Sequence, residues 1–227
     1  MRGANWPRNT HVWIAWLALA GCESCIAMAD EARPHAFEAE IQKFEALDRQ
    51  TPPPEQPIVF VGSSSIRMWN LAKSFPNLPV MNRGFGGSQI ADSVYYAQRI
   101  VIKCKPRLVV FYAGDNDLAS GKQPSDVLKD FQDFASQVHA ALPKTRIVFI
   151  SIKPSIARWK LIDSARRANS LIADFIKSDP RLIFVDVEPL MLGADGMPRG
   201  ELFIADGLHM NAKGYELWAS LIAPLVK

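Results

Sequence analysis

The apolar residues of this chain fall into short runs, separated by longer stretches in which they recur every third or fourth position. Residues 58–61 (IVFV), 78–82, 107–112 (RLVVFY), 146–152 and 182–185 are too short for helices and favour β-branched and aromatic side chains. That is the composition of buried strands. Between and after them, 90–102, 124–142, 156–177 and 211–225 carry apolar residues at helical spacing. Strands alternating with helices predict an α/β fold, a three-layer α/β/α sandwich around a five-stranded parallel sheet. Upstream, Phe37, Ile41, Phe44 and Leu47 mark an amphipathic helix over 34–49. Thr51-Pro52-Pro53-Pro54 ends it, because proline cannot continue a helix. A single short helix buries no core of its own, so 30–56 reads as an N-terminal helix and stiff lead-in to a domain over 57–227.

The polar punctuation is more informative than the runs. Gly62-Ser63-Ser64-Ser65 follows the first predicted strand, and Arg83-Gly84-Phe85-Gly86-Gly87-Ser88 follows the second. Gly114-Asp115-Asn116-Asp117 follows the third, and Asp206-Gly207-Leu208-His209 lies beyond the fifth. In a parallel sheet all of these fall on the carboxyl edge, where ligands of open α/β folds bind. Taken alone, a serine of the first turn is as well suited to cap the helix that begins near Ile66. Asp206 alone could be a turn residue, and His209 a half-buried structural histidine. Together they offer a nucleophilic arrangement. A carboxylate fixes the tautomer of an imidazole whose other nitrogen deprotonates a hydroxyl.

Other motifs fail on inspection. Gly84 to Gln89 lacks the last glycine of a dinucleotide fingerprint, and the Gly121-Lys122 pair lacks the rest of a P-loop. Asp115 and Asp117 lack the remaining ligands of a calcium loop. A hydroxyl-rich loop after the first strand could instead hold a flavin phosphate, which keeps a non-catalytic flavodoxin-like binding protein as the alternative.

Composition narrows the class. The chain has 227 residues, 48% hydrophobic and 22% charged, which suits one ordinary globular domain. Its net charge of +3 is spread without a basic cluster, so nucleic acid is not an expected partner. The three cysteines cannot build a disulfide framework, and Cys104 stands apart from the other two. Residues 1–29 are set aside from the fold. Arg2 and Arg8 precede an apolar run at 12–20, the pattern of an export signal and too short for the ~20 residues of a span. Two exits compete. Ala27-Met28-Ala29 suits ordinary cleavage, leaving Asp30 first. Leu19-Ala20-Gly21-Cys22 is a complete lipobox, which would lipidate Cys22 and tether the protein to a membrane surface; it is the better match. Either exit makes the protein exported, periplasmic or membrane-tethered.

With these blocks in order, the chain from Ile58 to about Leu225 resembles the SGNH hydrolases, which include the GDSL-type lipases and esterases, and the resemblance implies a flavodoxin-like order for the five-stranded parallel sheet. Gly62-Ser63-Ser64-Ser65 is similar to the family's Gly-Asp-Ser-Leu, and the resemblance implies Ser64 as nucleophile. It implies Asp206 and His209 as the other triad members. It implies an oxyanion hole from the backbone N–H groups of Ser64 and Gly87 and the side chain of Asn116. Ser63 departs from the family's aspartate, so the hydrogen bonding of the turn must differ. Asp117 would repel an oxyanion and is expected to turn away and bond loop backbone. No metal or organic cofactor is implied. The expected activity is that of an exported serine esterase acting on a small-molecule or glycan ester, short-acyl or acetyl esters favoured. A lysophospholipase or thioesterase of the same fold is the alternative. The segment from Lys153 to Trp159 follows the fourth strand and should overhang the site, with Arg158 and Trp159 as candidate substrate contacts.

Overall fold

The computed structural model describes Met1 and residues 36–227; the candidate signal, with Cys22 and Ala29, lies outside the described residues. Strands β1 (Ile58–Gly62), β2 (Val80–Gly84), β3 (Leu108–Tyr112), β4 (Arg146–Ile150) and β5 (Leu182–Val185) form one sheet in the order β2-β1-β3-β4-β5. All pairs are parallel, with Ile58 opposite both Val80 and Leu108. This is the flavodoxin-like order, whose topological switch point lies between β1 and β3.

Side chains alternate across each strand, and the two faces build two cores. Val59, Val61, Val109, Phe111, Ile147 and Phe149 pack into one cluster beneath α4 (Ile90–Ile100), α6 (Pro124–Ala141) and α7 (Ile162–Ile176). Phe60, Val110, Tyr112, Val148 and Ile150 pack into the other, with Trp69 and with Trp218 of α9 (Ala212–Ile222). Strands buried on both faces need no polar positions, which is why they read as unbroken apolar runs. Helix α1 (Glu38–Gln50) joins the first core through Ile41, and Phe37 meets the Phe85 ring edge-on at 5.1 Å.

The structure departs from the expected elements chiefly in one place. Residues 156–177 were expected to be one helix, but α7 begins only at Ile162 after a 3₁₀ turn at Trp159–Leu161. The preceding stretch is held by tertiary bonds, including Ala157 N–H to the Gly207 carbonyl at 3.0 Å, and these override its helical spacing. The short helices α2 (Ser64–Arg67), α5 (Asp115–Ala119) and α8 (Glu188–Met191) follow β1, β3 and β5, and α3 (Leu71–Ser74) lies between α2 and β2.

Candidate active site

β1 ends at Gly62, opposite Gly84 of β2 and Tyr112 of β3, so the three following loops leave the sheet at one level. Gly62 has φ +135°, and a Cβ there would lie 1.9 Å from the Tyr112 carbonyl oxygen. Only glycine allows the chain to leave β1 this close to β3. The turn drops at once into α2, with Ser63 at the N-cap position and Ser64 as the first helical residue. The N–H of a first helical residue has no intrahelical acceptor and is free for a ligand.

Of the three serines, Ser63 and Ser65 are buried and Ser64 is half-exposed. Ser64 Oγ lies 2.9 Å from His209 Nε2, and His209 Nδ1 lies 2.6 Å from Asp206 Oδ2. The other oxygen, Asp206 Oδ1, accepts from the N–H groups of Leu208 and His209, each at 2.9 Å. The His209 side-chain bond and these backbone donors hold the Asp206 carboxyl down to about 2, so it is ionised at neutral pH. A carboxylate only accepts, so His209 Nδ1 carries the proton and Nε2 turns its lone pair to Ser64.

The helix-cap reading of the serine turn fares differently. Ser63 occupies the cap position but makes no side-chain cap bond, and its buried Oγ has no hydrogen-bond partner among the described residues. The turn is braced elsewhere. Asn82 Nδ2 donates to the carbonyls of Ile66 (2.7 Å) and Trp69 (3.2 Å), while its Oδ1 accepts from Gly84 N–H at 2.9 Å. Tyr215 O–H adds a bond to the Ser65 carbonyl at 2.9 Å. The sequence gives no sign of Tyr215. Asn82 opens the run from Asn82 to Gly87 that resembles the family's second block, but its bracing of the serine turn was not legible there.

Gly87 lies exposed on the loop between β2 and α4, with φ +85° and open space where a Cβ would stand. Asn116 sits in the first turn of α5, after β3. Its Nδ2 donates to the Ser88 carbonyl at 2.9 Å, which ties the Gly87 loop to α5, and its Oδ1 accepts from Arg158 Nη2 at 2.8 Å. Asp117 points the other way. It is buried, takes the N–H of Ile90 at 3.2 Å on each oxygen, and pairs with Lys122 at 3.2 Å. Burial raises its carboxyl to about 6 despite that lysine.

The loop after β4 does overhang this edge, but its cations are already engaged. Lys153 is buried, 3.6 Å from Asp115 and 3.4 Å from the Tyr112 hydroxyl, and burial pushes its ammonium down. Arg158 is committed to Asp115 and Asn116. Trp159 is half-buried, with the Arg166 guanidinium 5.9 Å from its ring centre. Among the described residues, no cluster of His, Cys, Asp and Glu side chains could hold a metal ion.

Comparison with known proteins identifies the family and the fold. The GDSL-like Lipase/Acylhydrolase family model matches residues 62–217. The chain is 24% identical over 168 residues to the bovine (Bos taurus) platelet-activating factor acetylhydrolase IB subunit alpha1, covering 71% of each. A GDSL-like lipase from Bacteroides thetaiotaomicron superposes with a TM-score of 0.70 at 22% identity, covering 83% of this chain and 97% of that one. An acetylxylan esterase from Geobacillus stearothermophilus, a catalytic mutant, superposes with a TM-score of 0.63 at 12% identity, covering 76% and 94%. The chain belongs to the GDSL-like lipase/acylhydrolase family, the SGNH group, and is a hydrolase of ester bonds.

Proposed function

We propose that the protein is an exported serine esterase that removes short acyl groups, acetyl above all, from a polar carrier by way of an acyl-enzyme on Ser64. The observation that carries this reading is His209 bridging Ser64 at 2.9 Å and Asp206 at 2.6 Å. Ser64 Oγ attacks the acyl carbonyl as His209 Nε2 takes its proton, and ionised Asp206 steadies the imidazolium. The oxyanion accepts from Ser64 N–H, Gly87 N–H and the Asn116 amide. Collapse of the tetrahedral species expels the alcohol, which receives the proton from His209. Water, deprotonated by His209, then cleaves the acyl-enzyme and releases the acid. A phosphate cradle has no use for an imidazole aimed at a serine, so the flavin-binding alternative lacks comparable support.

The preference for small acyl groups rests on two supports. Nothing in the sequence reads as a long apolar lid, and the similar proteins include a platelet-activating factor acetylhydrolase subunit and an acetylxylan esterase. Arg158 reaches the Asn116 side chain, and Trp159, next to it in sequence and half-buried, is the candidate ring for a carrier sugar. Export, and the membrane tether through Cys22, rest on the sequence of residues 1–29 alone; a mature N-terminus at Asp30 in protein from its host would contradict the tether. The substrate reading is tested with acetylated sugars, p-nitrophenyl esters of increasing chain length and lysophospholipids. kcat/KM should be highest for acetyl and fall along the series. A maximum at long chains, or on lysophospholipid, would replace it with the lysophospholipase alternative.

A further inference from the structure

A carboxamide has one acceptor and two N–H donors, and at Asn116 two of these three are already assigned. One Nδ2–H goes to the Ser88 carbonyl at 2.9 Å, and Oδ1 receives Arg158 Nη2–H at 2.8 Å. The amide cannot flip without setting its oxygen against a carbonyl and its NH₂ against a guanidinium. The remaining Nδ2–H is left for the site. A cation on the amide oxygen also draws electron density from the nitrogen, which makes that N–H a stronger donor.

Arg158 is itself held. Its Nη1 lies 3.0 Å from Asp115 Oδ2, so one guanidinium spans two consecutive residues of α5. The contact to Asp115 is an ion pair and the contact to Asn116 a directed hydrogen bond, and the several N–H groups of one guanidinium allow both at once. Its neighbour Ala157 bonds the Gly207 carbonyl within the Asp206–His209 turn, so one loop touches both the oxyanion donor and the acid–base arm.

We propose that Arg158 is a positioning residue: it acts through Asn116, orienting and polarising the oxyanion-hole amide rather than gripping the substrate. The proposal rests on the reading of Asn116 as an oxyanion donor. The test is a double-mutant cycle on p-nitrophenyl acetate, with Arg158→Met and Arg158→Lys each made in the parent and in Asn116→Ala. Thermal midpoints are followed alongside kcat and KM. In the parent, Arg158→Met should lower kcat about 10- to 100-fold with little change in KM. Arg158→Lys should fall between Arg158→Met and the parent. In Asn116→Ala the same Arg158 changes should cost less than about threefold, because the group they act through is gone. Equal losses in both backgrounds, or a loss confined to KM, would overturn the proposal and return Arg158 to substrate contact. Parental kcat in Asn116→Ala alone would instead overturn the oxyanion reading, and this proposal with it. Should Arg158→Met not fold, Arg158→Lys carries the same comparison.

Discussion

Asn116 ties the Gly87 loop to α5 in the resting protein, while the catalytic task of its remaining N–H falls only in the transition state. Its free N–H meets little charge on a ground-state carbonyl and full charge on the tetrahedral oxygen. Asn116→Ala should therefore lower kcat by about 10²–10³-fold and leave KM nearly unchanged. A half-buried residue at a sheet edge carries little of the core, so thermal midpoints should stay close to parental. At this scale the sequence was most legible where chemistry is local. Asp206 and His209 are three residues apart, and one turn sets their geometry. Ser64 was harder to separate from its neighbours. A three-serine run does not reveal which hydroxyl escapes burial, and that depends on the start of α2. Arg158 could be placed from sequence on a segment overhanging the site, but its partners could not be read, because they lie 42 and 43 positions away.

At the scale of elements, Asp117 joins α5 to the first turn of α4 through Ile90 N–H, and so sets the loop that carries Gly87. Its folded value of about 6 lies above the ordinary 3.8. The contribution of the protonated group is thus full below about pH 4 and is lost as pH rises through about 6. In Asp117→Asn, Oδ1 can still accept from Ile90 N–H without a buried charge. Relative to parent, this variant should gain up to about 2–3 kcal/mol of stability between about pH 4 and pH 7, measured by urea unfolding. A constant difference across that range would mean that Asp117 does not titrate there. Asp206, near 2, runs the other way: its contribution is lost only as pH falls below about 4 toward 2. The strands and long helices were legible because burial on both faces leaves apolar runs and amphipathic helices leave a period. The loop before Trp159 was not, because its conformation is fixed by Gly207, Asp115 and Asn116, none of them neighbours in sequence.

At the scale of the whole molecule, α1 is more than a lead-in. Arg83, at the end of β2, is 2% exposed and pairs with Asp48 of α1, itself 7% exposed. Phe44 of the same helix lies under the guanidinium, 5.1 Å from its centre. Arg99 of α4 adds bonds to Glu38 and Glu45 at 2.8 Å. The periodicity of Phe37, Ile41, Phe44 and Leu47 revealed the apolar side of this docking, but Leu47 proves to be exposed, at 54%. The ionic side was hidden, because a buried arginine looks like any other in sequence. Removing one partner strands the other, so Asp48→Ala should cost about 3–5 kcal/mol in urea unfolding. Replacing both partners by apolar residues should recover most of that loss. A cost under about 1 kcal/mol for Asp48→Ala would mean that the pair is solvated and α1 is dispensable.

The central claim is that Ser64, activated by His209, is the nucleophile. A fluorophosphonate forms a stable bond only to a serine whose proton can be taken as the hydroxyl attacks, so the position of its adduct reports the chemistry directly. The probe should modify the protein once, with the adduct mapped by peptide mass spectrometry to Ser64. Ser64→Ala should lose both labelling and ester hydrolysis while Ser63→Ala and Ser65→Ala keep labelling. An adduct on Ser63 or Ser65, or undiminished hydrolysis by Ser64→Ala, would contradict the account.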